Sequence, residues 1–422
     1  MLSDIEKIIF VLLASSCFLV AYTMFRRMFL IIFSGNQPIV WSKVATNWKE
    51  GINSFISQKT LFKTRPFVGF IHALVAWGFT LYLIVNIVDV LYGFIPGFKF
   101  FPNHFIGYLY KIFVDIFSVL VLVGVLYFLF RRFIQQDQKL VTKKPVMISE
   151  LAIKGMRFDS ALVGIFILTH VGARFLSASF EIAHTQSDVY QPFANLVSNL
   201  WANMDSQFIV YMEHVTWWIA LSLILLFLPY FPISKHAHLF IGPLNIAAKT
   251  KRRSMASLEK IDFEDDTIEQ FGSSKLHHLP QSNLLDAYAC IQCSRCQDAC
   301  PAYETGKELS PSAIEINKRY FLNQNFTEIS NGEKFDIPLT DWMLTEEAAW
   351  SCTTCGYCVE VCPVGNEPMI DILRVRQDLV MMESKFPQEA METFDKMENY
   401  GNPWGLSPQD RENWMEGLDV PL

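Results

Sequence analysis

The sequence has no Lys/Arg-rich stretch interleaved with aromatics, and its net charge of −7 lies mostly in the C-terminal part. Together these exclude a nucleic-acid partner. It shows no inverted repeat and no pair of Gly/Pro-broken apolar segments, so a transporter core ranks last among the membrane classes. It lacks the cysteine set of a plant-type [2Fe–2S] centre. Beyond residue 240 it also lacks long apolar runs. The first apolar run has neither a basic leader nor a small-residue cleavage site. It follows Asp4 and Glu6 and runs into Arg26 and Arg27, the pattern of an uncleaved helix rather than a signal peptide.

What is present falls into two parts. The chain has 422 residues, 51% hydrophobic with 36 Phe, and most of the apolar content precedes residue 240. Five segments there are long enough to cross the roughly 30 Å hydrocarbon core: about 8–25, 67–91, 112–130, 161–182 and 208–228. Basic residues collect in alternate connections: Arg26, Arg27, Lys43, Lys49, Lys59, Lys63 and Arg65, then Arg131, Arg132, Lys139, Lys143, Lys144, Lys154 and Arg157, then Lys235, Lys249 and Lys251–Arg253. The asymmetry predicts the N-terminus outside and the C-terminal part in the cytoplasm. Cys17, within the first span, reads as a small apolar filler.

Eight of the nine cysteines form two copies of C-x2-C-x2-C-x3-C-P: Cys290, Cys293, Cys296 and Cys300, then Cys352, Cys355, Cys358 and Cys362. This is the ligand spacing of a cubane [4Fe–4S] cluster. Structural zinc uses four ligands, typically as two pairs, not two four-cysteine runs each closed by proline. A disulfide framework conflicts with a reducing cytoplasm. In two-cluster ferredoxins the fourth cysteine of each run serves the other cluster. One cluster is therefore expected on Cys290, Cys293, Cys296 and Cys362, the other on Cys352, Cys355, Cys358 and Cys300.

Ionisable residues inside a bilayer are costly and point to function. His72 lies near the inner end of the second span, His170 mid-way in the fourth and His214 near the outer end of the fifth. His236 and His238 follow that last span. At about 1.5 Å per residue they sort into two layers. His72 with His238, or with His236, is expected to hold an inner b haem; His170 with His214 an outer one. Arg174, one turn after His170, is a candidate propionate partner or a snorkelling cation. Asn86, Asp89, Glu181 and Glu213 gather at the outer ends as a candidate quinone lining, while Lys111 and Asp115 read as an i,i+4 ion pair.

In the soluble part, residues 241–285 read as a solvated linker with a basic knot at 249–253 and an acidic stretch over 259–269. Ser310-Pro311 signals a helix start, as does Thr345 before Trp350. Helical insertions between the cysteine runs predict an α-helical ferredoxin domain over 286–375, and a tail over 376–422.

The stretch Cys290–Ala302, then Gly306–Pro311, Trp350–Cys358, Asn402–Gly405 and Ser234–His238 resembles the membrane-bound heterodisulfide-reductase-like iron–sulfur proteins. The five-helix half over 1–240 resembles the gamma (cytochrome b) subunit of respiratory nitrate reductase. The resemblance implies an all-α fold, a five-helix transmembrane bundle followed by the helical ferredoxin domain, in a bacterial or archaeal cytoplasmic membrane. It makes His72 and His238 ligands of the inner haem and His214 a ligand of the outer one; the nitrate reductase pattern takes its second outer ligand from the second span, which has no histidine after His72, and His170 is the substitute. It implies respiratory-chain electron transfer to or from menaquinone or another quinone. The implied soluble partners are an electron-transfer flavoprotein or a thiol/disulfide-handling, cysteine-rich iron–sulfur subunit that docks near 375–422. Ser294 stands where the family often has glycine, with little expected effect on ligation. The competing expectations are a plain membrane anchor for a ferredoxin module, without haem or quinone chemistry, and the anchor or iron–sulfur part of a fumarate- or succinate-type enzyme.

Overall fold

A computed structural model describes residues 2–185, 187–249 and 261–418, and among these the regular structure is helical, with no strand. In lipid each span must satisfy its own backbone, and a helix does so within one segment. Five helices are long and apolar enough to cross a membrane. They are α1 (Asp4–Phe33), α3 (Pro66–Phe94), α4 (Phe105–Leu129), α5 (Glu150–Thr185) and α6 (Ser206–Phe227), with α2 (Trp41–Ser57) between the first two. Local signals start several of them. Glu6 returns a carboxylate to the Ser3 N–H at 2.9 Å, completing a capping box. Pro66 opens α3. Asp205 accepts from the N–H groups of Gln207 and Phe208 at 2.9 and 3.2 Å.

One expected pair is replaced. Lys111 reaches Asp188 at 2.6 Å rather than Asp115. Asp115 instead accepts from the N–H groups of Phe193 and Ala194, at 2.7 and 2.9 Å. Those groups open the short helix Pro192–Ser198, whose orphan donors attract a carboxylate more strongly than a side-chain ion pair holds it.

The expected linker over 241–285 is also corrected. Helix α7 (His238–Ala248) packs along α2, and a Cβ on Gly51 would lie 2.3 Å from the Pro243 carbonyl oxygen. Asn245, fully buried, donates to Asp286 at 2.7 Å and to the Val364 carbonyl at 3.0 Å. Lys249 pairs with Asp286 and Glu367 at 3.0 and 3.2 Å. Residues 250–260 of that stretch, with most of its basic knot and the start of its acidic run, lie outside the described residues. The charged knot and acidic stretch read as solvated; in the described part of the segment Asn245 and Lys249 are spent on specific partners instead.

The soluble part carries α8 (Gln281–Ala289), α9 (Pro311–Gln324), α10 (Pro368–Met381) and α11 (Gln388–Tyr400). Ser310 caps α9 through the Ala313 N–H at 3.2 Å, as its sequence predicts. Thr345 caps Glu346–Trp350 in the same way, at 3.0 Å. Met28, Ile31 and Ile32 at the end of α1 share one core with Leu279, Leu284, Leu285, Ile314 and Ile372. The two halves are therefore packed together, since burying apolar surface in a single core couples them. Helix α11 buries no residue and exposes Met391, Phe394 and Met397.

Candidate redox centres

The two cysteine runs share one local backbone. In the first, Gln292 and Ser294 take φ of 55° and 57°; in the second, Thr354 and Gly356 take 55° and 72°. The turns aim successive N–H groups inward: Gln292 donates to Cys290 Sγ and Thr354 to Cys352 Sγ, both at 3.4 Å. Asn366 N–H donates to Cys362 Sγ at 3.2 Å. Ser294 thus holds a left-handed conformation that its counterpart assigns to glycine, and a side chain there costs about 1–2 kcal/mol. The expectation that this serine matters little concerned ligation; its backbone conformation bears on stability instead. Ser294→Gly is expected to stabilise the folded chain by about 1 kcal/mol, read as a rise in thermal midpoint with the iron content unchanged.

The fourth cysteine of each run lies with the other run. Burial pushes the Cys362 thiol up to about 12, with Cys293 the next largest cause. Burial likewise raises Cys358 to about 12, followed by repulsion from Cys352, Cys300 and Cys355. Cys296 is raised by burial and by Cys293, Cys362 and Cys290. Thiols crowded in this way, with Cys358 also acting on Cys296, form a donor set of the type that iron neutralises. Among the described residues no three His, Cys, Asp or Glu side chains close around a single ion. A four-iron cube spreads its thiolates wider than one ion does, and the C-x2-C-x2-C-x3-C-P runs are its ligand spacing.

The histidines of the expected inner pair come together, whereas those of the outer pair do not. The rings of His72 and His238 lie with centroids 6.4 Å apart and planes tilted by 47°, and the His236 ring stands 6.1 Å from His238. Two imidazoles on one iron, with metal–nitrogen bonds of ~2 Å, put ring centres about 6 Å apart. His72 Nδ1 bonds Gln58 Oε1 at 3.0 Å, and His238 Nδ1 bonds the Lys235 carbonyl at 2.6 Å. Each ring is oriented through one nitrogen and keeps Nε2 free, the arrangement second-shell partners impose on metal ligands. Burial lowers the His238 pKa to about 4, so the ring is neutral and keeps a lone pair. Both rings line a cavity of about 220 Å³ with Val75, Phe79, Phe128 and Ile167. His236 also lines it, but its ring lies against Phe79, Phe227 and Phe231, and its pKa is driven far down by burial.

The outer pair is not brought together. His170 is fully buried, stacks on Phe166 and bonds the Ala220 carbonyl at 2.8 Å. His214 lies six residues before Ala220 on the same helix, about 9 Å along the axis. Its Nε2 is taken by Glu6, which also accepts from Trp218 Nε1 at 3.2 Å. His214 therefore ties α6 to α1. Arg174 is likewise engaged: it pairs with buried Asp89 at 2.6 Å, because a desolvated cation on a membrane helix takes the nearest carboxylate. Asp89 is thereby withdrawn from the expected quinone lining, whereas the carbonyl oxygen of Asn86 is buried without a hydrogen-bond partner.

Sequence reasoning missed the basic rim of the inner cavity, formed by Arg65, Arg131, Arg132, Lys235 and Arg295. Such a rim suits haem carboxylates. Its signal was present as the basic connections that also set orientation; only folding gathers residues more than 200 positions apart.

Residues 286–366 match the family described as a 4Fe-4S dicluster domain. The chain is similar to the probable iron-sulfur-binding oxidoreductase FadF of Bacillus subtilis, 32% identical over 402 residues, covering 86% of this chain and 54% of the relative. It is 28% identical over 400 residues to the EtfAB:quinone oxidoreductase of Syntrophomonas wolfei, covering 88% and 54%. A shorter similarity, 24% over 143 residues, joins it to one subunit of the dihydromethanophenazine:CoB–CoM heterodisulfide reductase of Methanosarcina mazei, covering 33% and 35%. The chain spans about half the length of the first two relatives. No solved structure matches it.

Proposed function

We infer that this chain, an oxidoreductase subunit related to the heterodisulfide-reductase-like membrane iron–sulfur proteins, carries electrons between a soluble partner and the quinone pool. The reading places two [4Fe–4S] clusters on the crossed cysteine sets and a b haem between His72 and His238. The N-terminus lies outside and the cluster domain in the cytoplasm. The partner is an electron-transfer flavoprotein or a cysteine-rich iron–sulfur subunit, docking on the apolar face of α11 and the following tail. The acceptor or donor in the membrane is menaquinone or another quinone. The EtfAB:quinone oxidoreductase relative bears both proposed ends in its name.

The observation that carries the reading is the pair His72–His238 in a cavity that residues beside Cys293 also line. When bound, iron at these sites supplies reversible one-electron chemistry. The chain's own groups do the rest. Gln58 and the Lys235 carbonyl fix the ring planes; the basic rim offsets haem carboxylates; Phe79 and Phe128 exclude water. Two one-electron passages, with two protons taken from the aqueous side, reduce one quinone to quinol, and the reverse oxidises it. An outer b haem has only one imidazole in support, His170, whose Nε2 is buried without a hydrogen-bond partner. A bare tether would need neither matched ring orientation nor a polar rim. The test is the purified chain: eight non-haem irons and b-type bands on dithionite reduction are expected. Zinc in place of iron, or a flat reduced-minus-oxidised spectrum, sinks the proposal.

A further inference from the structure

The two cysteine sets differ in what surrounds them. The cavity holding His72 and His238 is also lined by Ile291, Gln292, Cys293 and Arg295. A second cavity at the same pair, about 50 Å³, is lined by Ile291, Pro363 and Val364. Every one of these belongs to, or borders, the Cys290, Cys293, Cys296 and Cys362 set. That set is also bolted to the root of the helix carrying His72. Arg65 donates to the Cys293 carbonyl at 3.0 Å and pairs with Asp298 at 2.5 Å. Arg295 Nε donates to Thr64 Oγ1 at 2.8 Å.

The other set reaches the surface through one ligand. Cys355 is exposed and the neighbouring Tyr357 is 50% exposed, while Cys300 and Cys358 are buried. The set is held from behind: Arg376 donates to the carbonyls of Ala349, Trp350 and Cys352, at 2.8, 3.2 and 2.5 Å. The two sets adjoin at Cys358, which lines a common cavity with Cys290, Cys293, Cys296 and Cys362.

We propose that the centres work in a fixed order: the Cys300, Cys352, Cys355 and Cys358 centre exchanges electrons with the soluble partner, and the Cys290, Cys293, Cys296 and Cys362 centre relays them to the His72–His238 site. This rests on the function proposed above and adds to it the face at which the partner acts, around Thr353–Tyr357. Lys385, at the root of the tail, reaches Glu346 at 3.6 Å, on the helix Glu346–Trp350 that leads into Cys352. Each passage moves one electron from the reduced flavin or dithiol-derived centre of the partner to the inner haem iron, or back. No bond is made or broken and no proton moves.

The holo-chain in detergent tests the order by electron paramagnetic resonance of the reduced clusters with an aqueous dysprosium chelate. Tyr357→Lys adds a cation beside the outward set without touching a ligand, so the cluster whose midpoint potential rises in this variant is identified. That signal is expected to be relaxed by dysprosium at least ~3-fold more than the other. In Cys293→Ser the outward cluster should still be reduced by a soluble donor while haem reduction slows at least ~10-fold. Haem reduction by quinol should be unchanged in Tyr357→Lys. Equal relaxation of both signals, or stronger relaxation of the one unaffected by Tyr357→Lys, overturns the order while leaving the function intact. A preparation with full flavin or thiol reactivity but without eight irons or haem bands overturns both.

Discussion

His72→Ala is expected to remove the inner b haem and to lower electron transfer from reduced clusters to quinone at least ~100-fold, by analogy with the 10–100-fold cost of disturbing even a second-shell partner. His238→Ala should do the same, because His72 and His238 lie 6.4 Å apart and His236, though 6.1 Å from His238, is packed against Phe79, Phe227 and Phe231. The controls decide between this pairing and the others the sequence allowed. His236→Ala should retain haem, since that ring is wedged among three phenylalanines. His214→Ala should retain it too and lose only the tie to Glu6, a stability effect without a spectral one. Gln58→Ala frees His72 Nδ1 and should broaden or shift the low-spin signal while keeping the haem. His238→Met should keep a six-coordinate haem at a raised potential, as thioether ligation does. Pyridine haemochrome counts and low-temperature spectra of these variants read all of this. Haem loss in His236→Ala with retention in His238→Ala would reverse the assignment.

The second large effect is expected at Arg319, a buried side chain at only 1% exposure. Its guanidinium donates to the carbonyls of Ala287, Tyr288 and Cys290 at 3.1, 3.0 and 3.3 Å, and to that of Ser234. The first two end helix α8, whose last carbonyls lack partners and carry partial negative charge. One cation therefore caps a helix, fixes the chain as it enters the first cysteine run, and holds the loop bearing His236 and His238. Arg319→Leu leaves these acceptors buried without a donor, at about 1–3 kcal/mol each. The variant is expected to lose the Cys290, Cys293, Cys296 and Cys362 cluster and the inner haem together. Arg319→Lys, a point donor that cannot span four carbonyls, should fall between. Iron and haem contents measured on the same preparations give the result; loss of one cofactor with full retention of the other would show that Arg319 does not join the two sites. Its neighbour Lys318 acts within the soluble core instead, paired with Asp371 at 2.6 Å and with Glu315 at 3.2 Å.

Much of this chain follows from local chemistry. Five apolar runs become five spanning helices because lipid offers the backbone no other partner, and the cysteine spacing sets the cluster type because a short turn fixes where thiolates point. Ser310-Pro311 starts its helix because capping needs only neighbours. Partner choice among charged and imidazole groups is another matter. Asp115 was paired with Lys111 by spacing, yet it caps a helix that arrives from residue 192. His214 matched His170 in depth, yet depth says nothing of which way a ring faces around the helix, and Glu6 from the first span claims it. Arg65, Arg295 and Lys235 meet at one cavity only after three distant segments pack. Composition and spacing determined the helices, the cluster-type cysteine pattern and the membrane class; tertiary packing alone decided which histidines come together and which charges they keep, because those contacts depend on helix rotation and approach, which no local pattern encodes.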